Sequence, residues 1–354
     1  MDYQEDVDDM ELIDIENPGG FDELSRNLGF SFRNTSEIRN FLLSNTIHKN
    51  NIQRLFAWLI TFGILPIDST KWNDSIHSLF SNYQILIRTN LIDAEEDPLK
   101  LLNPEDVGVI TADITRILIW FNEMAAFLQI PETECIRAKV HAYRAITLYY
   151  QTKNFKYAQG HDRYFFIAYL LSLFFTSKNG LSSEVAECLS FHLAYALIEM
   201  GKLSRFLDNP KQTQKHFEHL DEMMEDQTPD IYDELNKMGQ SSIHFALRWE
   251  VLIFSDEYDI ESIFYIWDNV IIRRSLLEPF MYALCISHLK QIPQPKRDEM
   301  MIETIQHFRN FDAKKAVRDA VLIYGGDPVP YSPKAAIIAI VILVLLLCLY
   351  EFIK

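Results

Sequence analysis

No glycine-rich phosphate loop occurs in this sequence, so the chain has no evident nucleotide cradle of its own. No Cys/His cluster has zinc-ligand spacing, and the ten histidines include no His-Glu-x-x-His, which removes the common zinc sites. Cysteine is scarce. Cys135, Cys188, Cys285 and Cys348 stand far apart, a pattern that fits a reducing compartment and no disulfide framework. Strand-like alternation is hard to find. Positive charge is also in deficit: 33 Lys and Arg face 50 Asp and Glu, and the net charge of −17 argues against a nucleic-acid backbone as partner. The first residues hold neither a basic start nor an apolar run, so they do not read as a signal peptide.

What is present is apolar and helical in period. The chain is 48% hydrophobic and 13% aromatic over 354 residues, ample for one large or two small domains. Ten of the acidic residues precede residue 24 and are opposed by no Lys or Arg. With Pro18-Gly19-Gly20 as a breaker, residues 1–30 read as an acidic mobile arm, either simply solvated or a docking segment.

Helical patterning begins near residue 32. Asn34-Thr35-Ser36 before Glu37 resembles an N-cap cluster. In Asn51 to Gly63, Ile52, Leu55, Phe56, Leu59 and Ile60 share one face, while Arg54 and Trp58 sit four apart, close enough to stack. Pro104-Glu-Asp106 opens a helix with acids in the first turn. In it Asp113 and Arg116 face each other at i, i+3 spacing, as a surface ion pair or as a carboxylate aiming a guanidinium outward. Cys135 to Tyr150 reads as an amphipathic helix, and further helices fit 184–205, 213–225, 230–238, 241–254, 260–272, 276–290 and 297–321.

The most informative stretch is Phe155-Lys-Tyr-Ala-Gln-Gly-His-Asp-Arg-Tyr-Phe-Phe166. Gly160 permits backbone conformations that a Cβ disfavours. The segment from Tyr164 to Phe175 is apolar except for Ser172 and, at about 18 Å, too short for a bilayer. It reads as a buried helix whose N-terminal end presents Gln159, either as a satisfied polar group or as one that orients a water.

Gly325-Gly-Asp-Pro-Val-Pro330 then breaks the pattern, and residues 323–334 read as a linker. Ala335 to Tyr350 carries no charge. Extended to Ile353 the stretch reaches roughly 28 Å, the thickness of a thin bilayer. Residues 335–353 therefore read as a transmembrane tail anchor that leaves the bulk of the chain cytosolic.

Taken in order, Arg54 with Trp58, Ile110-x-x-Asp113-x-x-Arg116, Tyr157-Ala-Gln-Gly160, and Trp249 followed by Ile266-Trp-Asp268 resemble the motifs of the TBC domain of Rab GTPase-activating proteins. Tyr-x-Gln-Gly placed 43 residues after the arginine is the specific part. The Gln-Gly-His-Asp order, Phe206-Leu-Asp208 and the apolar tail are similar to the tail-anchored endoplasmic-reticulum branch of that family, the member-twenty-like proteins. The resemblance implies an all-α fold of two helical lobes over residues 31–322, followed by a C-terminal transmembrane helix. It implies a Rab small GTPase in its GTP-bound state as partner, at the cytosolic face of ER or early secretory membranes. Arg116 and Gln159 would be the catalytic pair, one neutralising charge on the phosphates and one positioning the water. Asp113, Tyr157 and Gly160 would support them; Arg54, Trp58, Trp267 and Asp268 would be structural. The magnesium would belong to the Rab, so no cofactor is expected. The alternative is a catalytically inactive membrane-tethered scaffold that binds Rab or other partners. Three departures stand out: His161 after Gln-Gly, Tyr265 before the late Trp-Asp, and the apolar run Ile117-Leu-Ile-Trp-Phe121. That run predicts a longer helix and raises the prospect of a buried Arg116.

Overall fold

A computed structural model of the chain describes residues 28–92, 97–153, 157–201, 209–295 and 300–325. Among the described residues the regular structure is helical throughout, in agreement with the all-α expectation. Residues 1–27 of the acidic arm, Phe206-Leu-Asp208, most of the linker and the 335–353 anchor lie outside the described residues. No helix among the described residues is long and apolar enough to cross a membrane.

Local chemistry sets most boundaries. Helix α1 (Thr35–Leu43) starts where the Asn34 side chain accepts from the Glu37 N–H, and the Glu37 carboxylate takes the Arg33 N–H in return. Helix α2 (Asn51–Thr61) is capped by the Asn50 side chain and stops before Gly63, which has φ +74. After α3 (Trp72–Thr89) comes α4 (Pro104–Phe127), capped by Asn103 with Pro104 at its first position. The apolar run after Arg116 does lengthen this helix. Ile110, Ile114, Ile117, Phe121 and Ala125 form a buried stripe at i, i+4, i+7 spacing that packs on α7 (His161–Asn179).

Two expected helices divide. The segment read as one amphipathic helix from Cys135 to Tyr150 is a single turn, α5 (Glu132–Cys135), and then α6 (Ala138–Lys153), which is buried at every position from Ala145 to Tyr150. Residues 297–321 hold α14 (Met301–His307) and α15 (Ala313–Ile323). Phe308 turns extended between them, and Asp312 caps the second helix by accepting from the Lys315 N–H. The remaining helices are α8 (Ser183–Gly201), α9 (Pro210–Gln227), α10 (Pro229–Lys237), α11 (Ile243–Val251), α12 (Ile260–Ile272) and α13 (Leu277–Leu289).

Helices α4 and α6 to α8 pack into one group around α7, and α9 to α15 form another around α12 and α13. The two groups share a continuous core running from Phe32 to Ala320, with α2 touching both α7 and α12. At that junction Asp268 is fully buried. It accepts from Lys49 at 2.8 Å, from Arg54 Nε at 3.2 Å and from Trp58 Nε1 at 2.8 Å. Arg54 and Trp58 therefore meet through a shared carboxylate, and the ring beneath the Arg54 guanidinium is Phe264, which corrects the expected stacking. Burial lowers the Lys49 ammonium pKa, against the pull of Asp268. Trp267, also fully buried, donates Nε1 to the Ile253 carbonyl at 3.0 Å.

Candidate functional site

The structure brings Asp113, Arg116, Tyr157, Gln159 and Gly160 together. Helix α4 carries Asp113 on the edge of its buried stripe and Arg116 one turn on, facing out. The Asp113 side chain is 4% exposed and that of Arg116 67%, so the guanidinium is not buried, despite the apolar residues that follow it. Asp113 Oδ1 accepts from Arg116 Nη2 and, at 3.3 Å, from Gln159 Nε2. Its Oδ2 lies 3.1 Å from the Tyr157 hydroxyl. A single carboxylate thus ties the two candidate catalytic side chains to each other and to α4.

The turn that presents Gln159 is built from below. Gly160 has φ +102 and precedes the first residue of α7. A Cβ there would stand 2.6 Å from Leu252 Cδ2. Glycine is required by the backbone conformation, and a Cβ would also have to push the Leu252 side chain aside. His161, buried against Tyr150, has its imidazole pKa lowered to about 4 by desolvation, so the ring is neutral at physiological pH. Its Nδ1 lies 2.5 Å from the Tyr150 hydroxyl. The Asp162 carboxyl is pushed up by burial and by the nearby Asp113 charge, and it shares the Tyr157 hydroxyl with Asp113 at 3.1 Å.

These groups open onto one groove of about 640 Å³, lined on one side by Arg116, Ile117 and Trp120 and on the other by Leu247, Val251 and Leu252. Its rim carries Arg163, Arg248 and Asp256. The sequence pattern did not single out these three, nor Tyr150, and it noted Asp162 only within the Gln-Gly-His-Asp order. The adjacent turn holds Ile253 at φ +44 and Phe254 at φ +56, a strained pair for residues that carry a Cβ. Among the described residues no group of His, Cys, Asp and Glu side chains is placed to hold a metal.

The fold is similar to known proteins in two comparisons. Residues 144–295 match the family model of the Rab-GTPase-TBC domain, a span that includes Tyr157, Gln159 and Gly160 and begins after Arg116. Among solved structures, the chain is similar to the crystal structure of the Ypt/Rab-GAP domain of Gyp1p. The TM-score is 0.60 at 15% identity, covering 83% of this chain and 94% of that one. At that identity the likeness is one of fold, and family model and fold agree on a TBC-type helical domain. A search of curated proteins gave no match.

Proposed function

We propose that this protein is a GTPase-activating protein for a Rab-family small GTPase, acting in trans through Arg116 and Gln159. The observation that carries the reading is the convergence of an exposed guanidinium and an exposed amide on one carboxylate at the mouth of one groove. A bound GTPase hydrolyses GTP slowly because charge on the phosphates is unmet and the attacking water poorly held. A guanidinium supplied in trans addresses the first deficit and a side-chain amide the second. Asp113 holds Arg116 by one edge, which leaves the other N–H groups for phosphate oxygens. The partner brings its own nucleotide and magnesium.

The apolar 335–353 stretch supports a tail anchor, which would keep the groove at the cytosolic face of the ER or an early secretory membrane. A binding-only scaffold would have been favoured by a sealed Arg116. The exposure of that side chain favours the active reading instead.

The test is GTP hydrolysis by a panel of GTP-loaded Rabs, with and without the full chain in detergent micelles. We expect at least one Rab to be stimulated, and Arg116→Ala to remove about 10³-fold or more of that stimulation. Gln159→Ala should cost about 10²-fold or more. Full stimulation by both variants, or none by the parent chain, would refute the proposal.

A further inference from the structure

We propose that Arg163 is a positioning residue that sets the spacing between the Arg116 guanidinium and the Gln159 amide. What those two groups do rests on the reading above; the tie between their elements does not.

Trp120 follows Arg116 by four residues on α4, about one helical turn, and Arg163 lies in the first turn of α7, which the Gln159-Gly160 turn precedes. The Arg163 guanidinium carbon lies 4.7 Å from the centroid of the Trp120 ring, a cation–π stack. Its Nη2 donates to Asp256 Oδ1 at 2.5 Å. The Arg163 side chain is only 17% exposed, with its guanidinium engaged by Trp120 and Asp256. The groove therefore has two ties across it. The front one runs from α4 through Asp113 to Tyr157 and Gln159. The rear one runs from α4 through Trp120 to Arg163 and on to the 251–256 turn.

That turn is a firm anchor. Glu257, next to Asp256, is buried between Arg248 at 2.6 Å and Arg309 at 3.3 Å. On the same segment, the Val251 carbonyl accepts from the Tyr164 hydroxyl at 2.5 Å. A guanidinium suits the rear position because it presents a flat face to the indole and an in-plane N–H to the carboxylate at once. A lysine satisfies only the charge. Without this tie, the polar link between α4 and the Gln159 turn is the one at Asp113, and the apolar packing of Phe121 on Phe166 and Tyr169 lies further along α7.

The experiment uses the full chain in detergent micelles, comparing the parent with Arg163→Ala, Arg163→Lys and Trp120→Ala. In Arg163→Ala we expect kcat of stimulated hydrolysis to fall about 10–100-fold, the loss that a displacement near 1 Å produces, with KM within about threefold. Arg163→Lys should fall between parent and alanine variant, and Arg163→Ala should add little on a Trp120→Ala background. Hydrogen exchange of the 157–163 amides should quicken while the global melting temperature stays within a few degrees. Unchanged kcat, or a loss confined to KM, overturns the inference. Should the parent stimulate no Rab, the proposed function has failed and hydrogen exchange alone decides. Faster exchange at 157–163 in Arg163→Ala then upholds the tie, and unaltered protection sinks it.

Discussion

Asp268 and Asp113 each collect an arginine and an aromatic donor, yet they use the arginine differently. At Asp268 every edge of the Arg54 guanidinium is engaged: Nε by the carboxylate, Nη1 by Asn51 at 2.5 Å and Nη2 by the Ile47 carbonyl at 3.0 Å, with the side chain 1% exposed. At Asp113 the Arg116 guanidinium meets its carboxylate through Nη2, and its other N–H groups have no partner among the described residues. A saturated, sealed guanidinium is a structural part. One held by a single edge at a groove mouth is oriented and still able to bind. The same pair of residue types therefore separates into frame and candidate site by exposure and by how many N–H groups are already used.

The largest expected effect tests the frame side. Asp268→Ala strands the Arg54 and Lys49 charges in the interior, so denaturant unfolding should show a loss of about 3–5 kcal/mol. Asp113→Ala should lose far less, about 1–2 kcal/mol, because Arg116 regains water and Tyr157 keeps Asp162 as acceptor. Its stimulated hydrolysis should nonetheless collapse toward that of Arg116→Ala. Equal stability losses at the two aspartates would erase the distinction.

An acid-sensitive support beneath the Gln159 turn sharpens it. The His161 pKa is about 4 in the folded chain and near 6.5 in the unfolded one, so the unfolded state takes up the proton first as pH falls. The contribution of His161 is constant above pH 6.5 and declines from there to about pH 4, by about 3 kcal/mol for a shift of that size. Asp162 acts with the opposite sign, since its carboxyl pKa is raised in the folded state. Comparing the parent with His161→Asn isolates the histidine. The variant's stability should depend on pH by about one proton less between pH 6.5 and 4. Parallel curves in that window would exclude a buried neutral imidazole.

A last effect belongs to the glycine. Gly160→Ala adds a Cβ at φ +102 against the Leu252 side chain, which can yield, so backbone strain dominates at about 1–3 kcal/mol. Equilibrium unfolding should register this, together with a reduced kcat. A stabilised variant would show that the turn is less constrained than its conformation implies.

The site was legible in the sequence where it is local. Gly160 announced an unusual backbone, Gln159 stood beside it, and Asp113 with Arg116 followed from helical spacing. The exposure of Arg116 was not legible. Ile117 to Phe121 gave a locally apolar context, and only the packing of the Ile110–Ala125 stripe on α7 turns the guanidinium outward. Lys49 at Asp268 and Asp256 at Arg163 lie 219 and 93 residues from their partners, separations at which no periodicity speaks. The break between α14 and α15 had its signal in Asp312, a capping residue three before the N–H it accepts.

Helix α4 runs unbroken for 24 residues through the position of Arg116. The backbone under that side chain is therefore ordered when the chain folds, and not when a partner arrives. A fingertip on a loose loop would surrender about 1–2 kcal/mol of main-chain entropy per residue fixed at each encounter. Here that loss has already been absorbed by burial of the helix, leaving only the Arg116 side-chain torsions to settle on contact.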